Sequence, residues 1–547
     1  MAATAPPLEL DYVVIGSGFG GAVSALRLAE KGWRVAVLEM GKRWRPEDFA
    51  ESNWDLRKYL WMPGLGLRGI QRISLLPHVV VLHGVGVGGG SLVYANTLVV
   101  PPEPVLRDPR WPAGVDWAAA LAPHYATARR MLGATPAPEI FRADELLREV
   151  VEAETGRGAT FRRHEVGIFF GAPGERAPDP YFGGRGPERT GCTLCGACMT
   201  GCRPGAKNTL DRNYLHLAEA LGCEIHAETR VIDVRPAGGG GWEIEAERST
   251  AILARERRVY RARGVVFAAG ALGTVKLLLA CKARGSLPGL SPQLGNFVRT
   301  NSEALVGALA PDERVDFSRG IAITSGVDAD ANTHMEIVRY GKGQDAMGAL
   351  VTHLTPDRPP WPRWLRWLGG LLRHPLRYAR VHRLRGWATR TAIVLVMQPL
   401  DSYLRLRLRR RFGRATLTSV VEAGPRPPTS IPIADRIAQR LADRIGGLPG
   451  SNVLEVLGNR SSTAHILGGA VLASDPSQGV CDPRGRVFGH EGLWVADGAA
   501  VPVNLGVNPA LTITALAEHV MAAVPARAGG GAPRAELAGG GEGPASR

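Results

Sequence analysis

The sequence has no apolar run long enough to cross a membrane. The longest, such as Ala392–Met397 and Val265–Leu272, fall far short of a span. Its start, Met1-Ala-Ala-Thr-Ala-Pro-Pro7, has neither a basic lead-in nor an apolar core. No secretory signal is expected there, and a cytoplasmic location follows as the default. Cysteine is scarce, with 7 in 547 residues, and four of these fall within Cys192–Cys202. That distribution excludes a disulfide framework spread over the chain. No internal repeat is visible. Acid is missing from one long stretch: Arg358–Arg414 holds fifteen Arg, one Asp, no Lys and no Glu, a local +14 against a net +15. The excess charge is therefore a local surface rather than a general property of the chain. No nucleic-acid recognition motif accompanies it, so nucleic acid is not an expected partner.

The length calls for more than one domain or one elaborated fold. The opening reads strand, turn, helix, strand: Asp11–Ile15, then Gly16-Ser-Gly18-Phe-Gly-Gly21, then Ala22–Lys31, then Arg34–Glu39. Gly16, Gly18 and Gly21 hold the spacing of a dinucleotide-binding turn. The first permits the tight turn, the second lets a pyrophosphate approach the backbone, and the third allows close helix–strand packing. Glu39 closes the next strand, where an acid binds a ribose diol and repels a 2′-phosphate, which disfavours NADP. Further buried strands are expected over Glu224–Asp233 and Val265–Ala269. Within Gly492–Val524 we expect a strand ending at Asp497 and a helix from about Ala510. Tyr403–Arg409 alternates as an amphipathic strand, and residues 526–547 read as a disordered Gly/Ala/Pro tail.

A second glycine-rich stretch, Gly84–Gly90, continues into Ser91-Leu-Val-Tyr94-Ala-Asn96 and suits a backbone pressed against a flat ring or phosphates. Taken with the Gly16–Glu39 unit, Val265–Thr274, His465-Ile-Leu-Gly-Gly469, Val495-Ala-Asp-Gly498 and Val507-Asn-Pro509, it resembles the glucose–methanol–choline (GMC) oxidoreductase family. The likeness is greatest to the cholesterol oxidase-like branch and extends to about Val524. The resemblance implies an α/β fold with a Rossmann-like FAD-binding domain and a second, sheet-based substrate domain. The boundaries it implies are 8–100, 200–310 and 455–525 for the FAD domain, and 101–199 and 311–454 for the substrate domain. It implies non-covalent FAD held by Gly16, Gly18, Gly21, Glu39, Gly90, Val231, Asp497 and Gly498. It implies His465 and Asn508 as catalytic residues, with Glu336, in Met335-Glu-Ile337, as the carboxylate of an isomerisation. At Tyr94-Ala-Asn96-Thr the chain departs from the branch's Asn-Gly-Gly-Met, which leaves the substrate face open.

The chemistry that the resemblance implies is oxidation of a bulky apolar alcohol, a 3β-hydroxysteroid such as cholesterol, with Δ5-to-Δ4 isomerisation as an added step. An imidazole titrating near working pH takes the hydroxyl proton, and an amide orients the oxygen without titrating. The acceptor is O2 or an electron carrier. Cys192, Cys195, Cys198 and Cys202 have the spacing of a ferredoxin loop, which points to one 4Fe-4S cluster. Zinc and a thiol-rich structural loop remain as alternatives. A cluster would favour a dehydrogenase for another hydrophobic alcohol, feeding a carrier. In the basic segment Trp361, Trp364 and Trp367 recur at spacing three among Arg and Leu. The pattern suits peripheral contact with a membrane interface or a lid over the site. A membrane- or nucleic-acid-binding module with a decayed flavin site is the reading from another class, and the intact motifs speak against it.

Overall fold

The computed structural model describes residues 8–251, 256–311, 314–411, 414–422 and 424–528. The expected disorder of the tail falls, from residue 529 onward, outside them. Two seven-stranded sheets organise the chain. In the first, strand Leu8–Ile15 runs parallel between Val35–Leu38 and Arg257–Phe267. Every side chain from Tyr12 to Ile15 is buried, as a parallel strand covered on both faces requires. The chain leaves Ile15 through the glycine turn into helix Phe19–Glu30. Helix Ala510–Ala522 packs on that helix and on Trp117–Met131. A bond from Arg27 Nε to Glu518 Oε2 at 2.6 Å and one from Tyr214 Oη to Glu518 Oε1 at 2.7 Å pin this packing.

Segment Glu224–Asp233, read from sequence as one strand, is two. Glu224–His226 runs parallel to Val35–Leu38, and Thr229–Pro236 pairs with Trp242–Arg248. The break falls at Glu228, whose φ of 53° lies in the left-handed region and turns the chain between the two pairings. The Tyr403–Arg409 alternation appears as strand Arg405–Arg411, paired in a hairpin with Arg414–Val420.

The second sheet is antiparallel throughout, in the order Val351–His353, Leu448–Asn452, Ala304–Leu309, Thr391–Met397, Thr333–Val338, Ser325–Asp330, Arg162–Arg163. Strand Ala304–Leu309, which the sequence boundary at 310 groups with the FAD segments, hydrogen-bonds here. Period-two alternation divides its faces. Ala304, Val306, Ala308, Val394, Val396, Met335 and Ile337 pack under helices Arg142–Thr155 and Pro432–Arg444. Leu305, Ile393, Leu395 and Val338 point to the other face, towards the first sheet.

A three-stranded sheet joins the halves. Val79–Gly84 pairs antiparallel with Gln71–Leu75 and parallel with Ser461–Thr463. It delivers two motifs to one place: Gly84 opens the second glycine loop, and His465 follows two residues after Thr463.

Candidate active site

Between the sheets lies one continuous cavity of about 1330 Å³. Pockets for a single drug-sized ligand run up to about 1,000 Å³, so this one is larger than one such ligand needs. One part is lined by Gly16, Gly18, Glu39, Gly90, Val231, Asp497 and Gly498. Gly21 does not line it. A Cβ there would run into the Gly16 carbonyl oxygen, so this glycine lets helix and turn close together. Glu39 ties the two glycine loops. Its Oε2 accepts from Ser17 N at 3.1 Å and Ser17 Oγ at 2.8 Å, and its Oε1 from Gly86 N at 3.4 Å and Gly41 N at 2.8 Å. Burial pushes its carboxyl above the usual range against these donors. Asp497, fully buried, is likewise raised by burial to about 6, while Thr274 Oγ1 donates to it at 2.6 Å. The residues fit FAD: backbone for the phosphates, an acid for the ribose, and a glycine at 18 whose absent side chain leaves the cavity free.

The other part of the cavity is apolar, with Leu305, Leu309, Ile323, Val338, Ile393 and Leu395 along the second sheet. His465 and Asn508 line the same cavity. Beside His465 is a group the motifs did not disclose. Glu303 is 2% exposed and lines the cavity, and one of its carboxylate oxygens pairs with His465 Nδ1. The other oxygen accepts from Ala464 N at 2.9 Å. Two left-handed residues, Asn301 and Ser302, place it. Asn301 is held in turn by Asn504 and Val507. Burial works against the charged imidazole, but Glu303, and Glu336 beyond it, carry its pKa above the ordinary value.

Glu336 is fully buried and does not reach the cavity wall. It lies one residue behind Asn508, whose Nδ2 donates to its Oε2 at 3.1 Å. Two imidazoles face its other oxygen, His164 Nε2 at 2.9 Å and His334 Nε2 at 3.4 Å. Burial alone would raise the Glu336 carboxyl; the imidazoles of His164 and His334 hold it well below the usual range. An ionised carboxylate only accepts, so the amide nitrogen of Asn508 must face it. A sequence signal for part of this group exists: His334 and Glu336 alternate on one strand, which puts both on one face.

The four cysteines of the loop are free thiols that line one small cavity with Lys207 and Gly320. Among the described residues no three of their sulfurs lie within 4.8 Å of one another. Burial pushes Cys192 up to about 12 and Cys198 to about 11. The loop braces the flavin-side turn, because buried Lys207 Nζ donates to the carbonyls of Leu92, Tyr94 and Cys198 at 3.1, 2.9 and 2.8 Å.

Three family models match the chain: FAD binding domain over residues 11–48, and GMC oxidoreductase over 187–284 and 443–517. A cholesterol oxidase of Acinetobacter baumannii is 44% identical over 528 residues, 95% of each chain. The chain belongs to the GMC oxidoreductase family. It is an FAD-dependent alcohol oxidoreductase with the α/β fold of that family. A cholesterol oxidase of Mycobacterium tuberculosis is 48% identical over 523 residues, covering 93% of this chain and 90% of that protein. The crystal structure of pyridoxine 4-oxidase from Mesorbium loti matches with a TM-score of 0.61 at 15% identity, over 94% of this chain and 98% of that one. At that identity the match speaks for the fold alone.

Proposed function

We propose that this member of the family oxidises the 3β-hydroxyl of a sterol to the ketone, with O2 as electron acceptor. The observation that carries the reading is the apolar lining of the cavity that His465 and Asn508 share, with room for a rigid polycyclic body. Identities of 44% and 48% to the two cholesterol oxidases point the same way. Bound FAD supplies the hydride acceptor. His465 takes the hydroxyl proton, and Glu303 on its Nδ1 fixes the ring so that Nε2 turns to the alcohol. Asn508, held by Glu336 from behind, orients the alcohol oxygen. The test is product analysis with cholesterol: a 3-ketosteroid and H2O2 are expected, and absence of ketone with FAD-replete enzyme contradicts the reading. A Δ4 product would require a carboxylate that reaches the steroid. Glu303 lines the cavity and Glu336 does not, so loss of Δ4 product in Glu303→Gln with ketone retained would assign that step to Glu303.

The raised His465 pKa has a sign that can be checked. Below it the ring is protonated and cannot take the hydroxyl proton, so kcat/KM rises with pH through that pKa. Glu303→Gln removes the charge that raises it. The acidic limb is expected to move to lower pH in the variant, and an unmoved limb would detach Glu303 from His465.

No helix among the described residues is long and apolar enough to cross a membrane. Peripheral contact is the reading for the basic segment. Helix Arg363–Arg373 is anchored through Arg363 Nε, which donates to Thr355 O at 2.5 Å, and Trp367 Nε1, which donates to Thr352 Oγ1 at 2.7 Å. Trp367 is thus an anchor, whereas Trp361, Trp364, Leu368, Leu372 and Leu376 stand exposed beside exposed Arg373, Arg377 and Arg380. Exposed apolar side chains among cations suit an anionic lipid surface, where each basic residue contributes about 1 kcal/mol. Co-sedimentation with anionic vesicles should weaken as salt rises and should be lost in Trp361→Ser/Trp364→Ser/Leu372→Ser. Equal binding by the variant would return the helix to a lid.

A further inference from the structure

Three adjacent strands of the second sheet bring three ligand-bearing side chains together. His334 and Glu336 lie on one face of Thr333–Val338, two residues apart. Ser325–Asp330 is the next strand, and Gly326 is paired with Glu336 on one side and with Arg162 on the other. His164 follows directly after Arg162–Arg163. The middle strand thus offers a glycine where the flanking strands offer imidazoles. A Cβ on Gly326 would collide with the rings of both His164 and His334, so its absence lets the two rings converge above the strand.

His164 Nε2, His334 Nε2 and Glu336 Oε1 are each buried and face one another, with the nitrogens 2.9 and 3.4 Å from the oxygen. All three atoms lie within 4.8 Å of one another. Ligand atoms about 2.0–2.2 Å from a tetrahedral zinc are spaced about 3.4 Å apart; the His334–Glu336 separation matches this and the His164–Glu336 one is shorter. The outer atoms of two of the three are already engaged, as those of metal ligands are. His334 Nδ1 pairs with Asp328 Oδ1 at 2.6 Å, and Glu336 Oε2 accepts from Asn508 Nδ2. Glu336 brings one negative charge to the ion, while Asp328 is shared with the Arg162 guanidinium, which donates to both its oxygens.

We propose that His164, His334 and Glu336 bind one zinc ion behind the active site, where it fixes the carboxylate that orients Asn508. The site is separate from the cysteine loop and from the FAD cavity, and it stands independently of the sterol reading. Its ion is a positioning element, since Asn508 lies between it and the substrate.

The test uses holoenzyme purified without a polyhistidine tag. The protein is stripped with a chelator, titrated with zinc, and its metal content measured by mass spectrometry. About one zinc per chain is expected for wild type, none for His334→Ala or His164→Ala, and retention in His334→Cys. Cys192→Ser should keep the ion. Flavin content reports folding of each variant, and the wild-type titration decides alone should the Ala variants not fold. Failure of stripped wild type to take up zinc would overturn the site. So would zinc retained in both His variants, or zinc lost only in Cys192→Ser.

Discussion

His465→Ala is expected to keep its FAD and to lose at least about 100-fold in the rate of flavin reduction by substrate, the contribution of a positioned acid–base group. The cofactor should stay because its cradle lies in other elements: the two glycine loops, Glu39, Asp497 and Gly498. The bond that shapes the loop, from His465 N to Thr463 Oγ1 at 2.8 Å, is a backbone bond that alanine preserves. The substitution does leave the Glu303 carboxylate buried without its partner, and that has a cost in stability. His465→Gln, which can still donate to Glu303, separates the two effects. It should restore stability without restoring the rate. Stopped-flow reduction under anaerobic conditions reads the rate, and an unchanged rate in both variants would remove His465 from proton transfer.

Gly18→Val is expected to yield folded protein without FAD. The nearest atom to a Cβ at this position is the Gly89 Cα, 4.0 Å away, so the protein itself tolerates a side chain. The valine would instead occupy the space kept for the pyrophosphate. Gly21→Val is the contrasting case, because its Cβ meets the Gly16 carbonyl oxygen. That variant should lose stability as well as cofactor. Visible absorbance together with circular dichroism distinguishes them. A Gly18→Val protein with full flavin content would contradict the placement of the phosphates.

The cofactor cradle was legible in sequence because its physics is local. A strand, a tight glycine turn and a terminal acid imply one another over the short stretch from Gly16 to Glu39. Asn508 and His465 became candidates only through family resemblance, since nothing in a lone His or Asn marks it as reactive. Glu303 was not legible at all. Its place depends on Asn301 being held by Asn504 and Val507, some two hundred residues on, and on two left-handed residues that no hydrophobic period encodes. Glu336 could be assigned a carboxylate's role from its motif, but its depth behind Asn508 comes from long-range sheet pairing. The same holds for His164, which reaches Glu336 only because Gly326 lies between their strands. The tryptophan spacing of three suggested contact with a membrane interface or a lid, and tertiary contacts divide the three: Trp367 docks on Thr352 while Trp361 and Trp364 stay outside.

The central claim is that a sterol alcohol reduces the flavin at His465 and Asn508. Anaerobic addition of cholesterol to the yellow enzyme tests it most directly. The flavin absorbance is expected to bleach without added NAD and to return on admitting O2. A flavin that stays oxidised with cholesterol, yet is bleached by another hydrophobic alcohol, would contradict it.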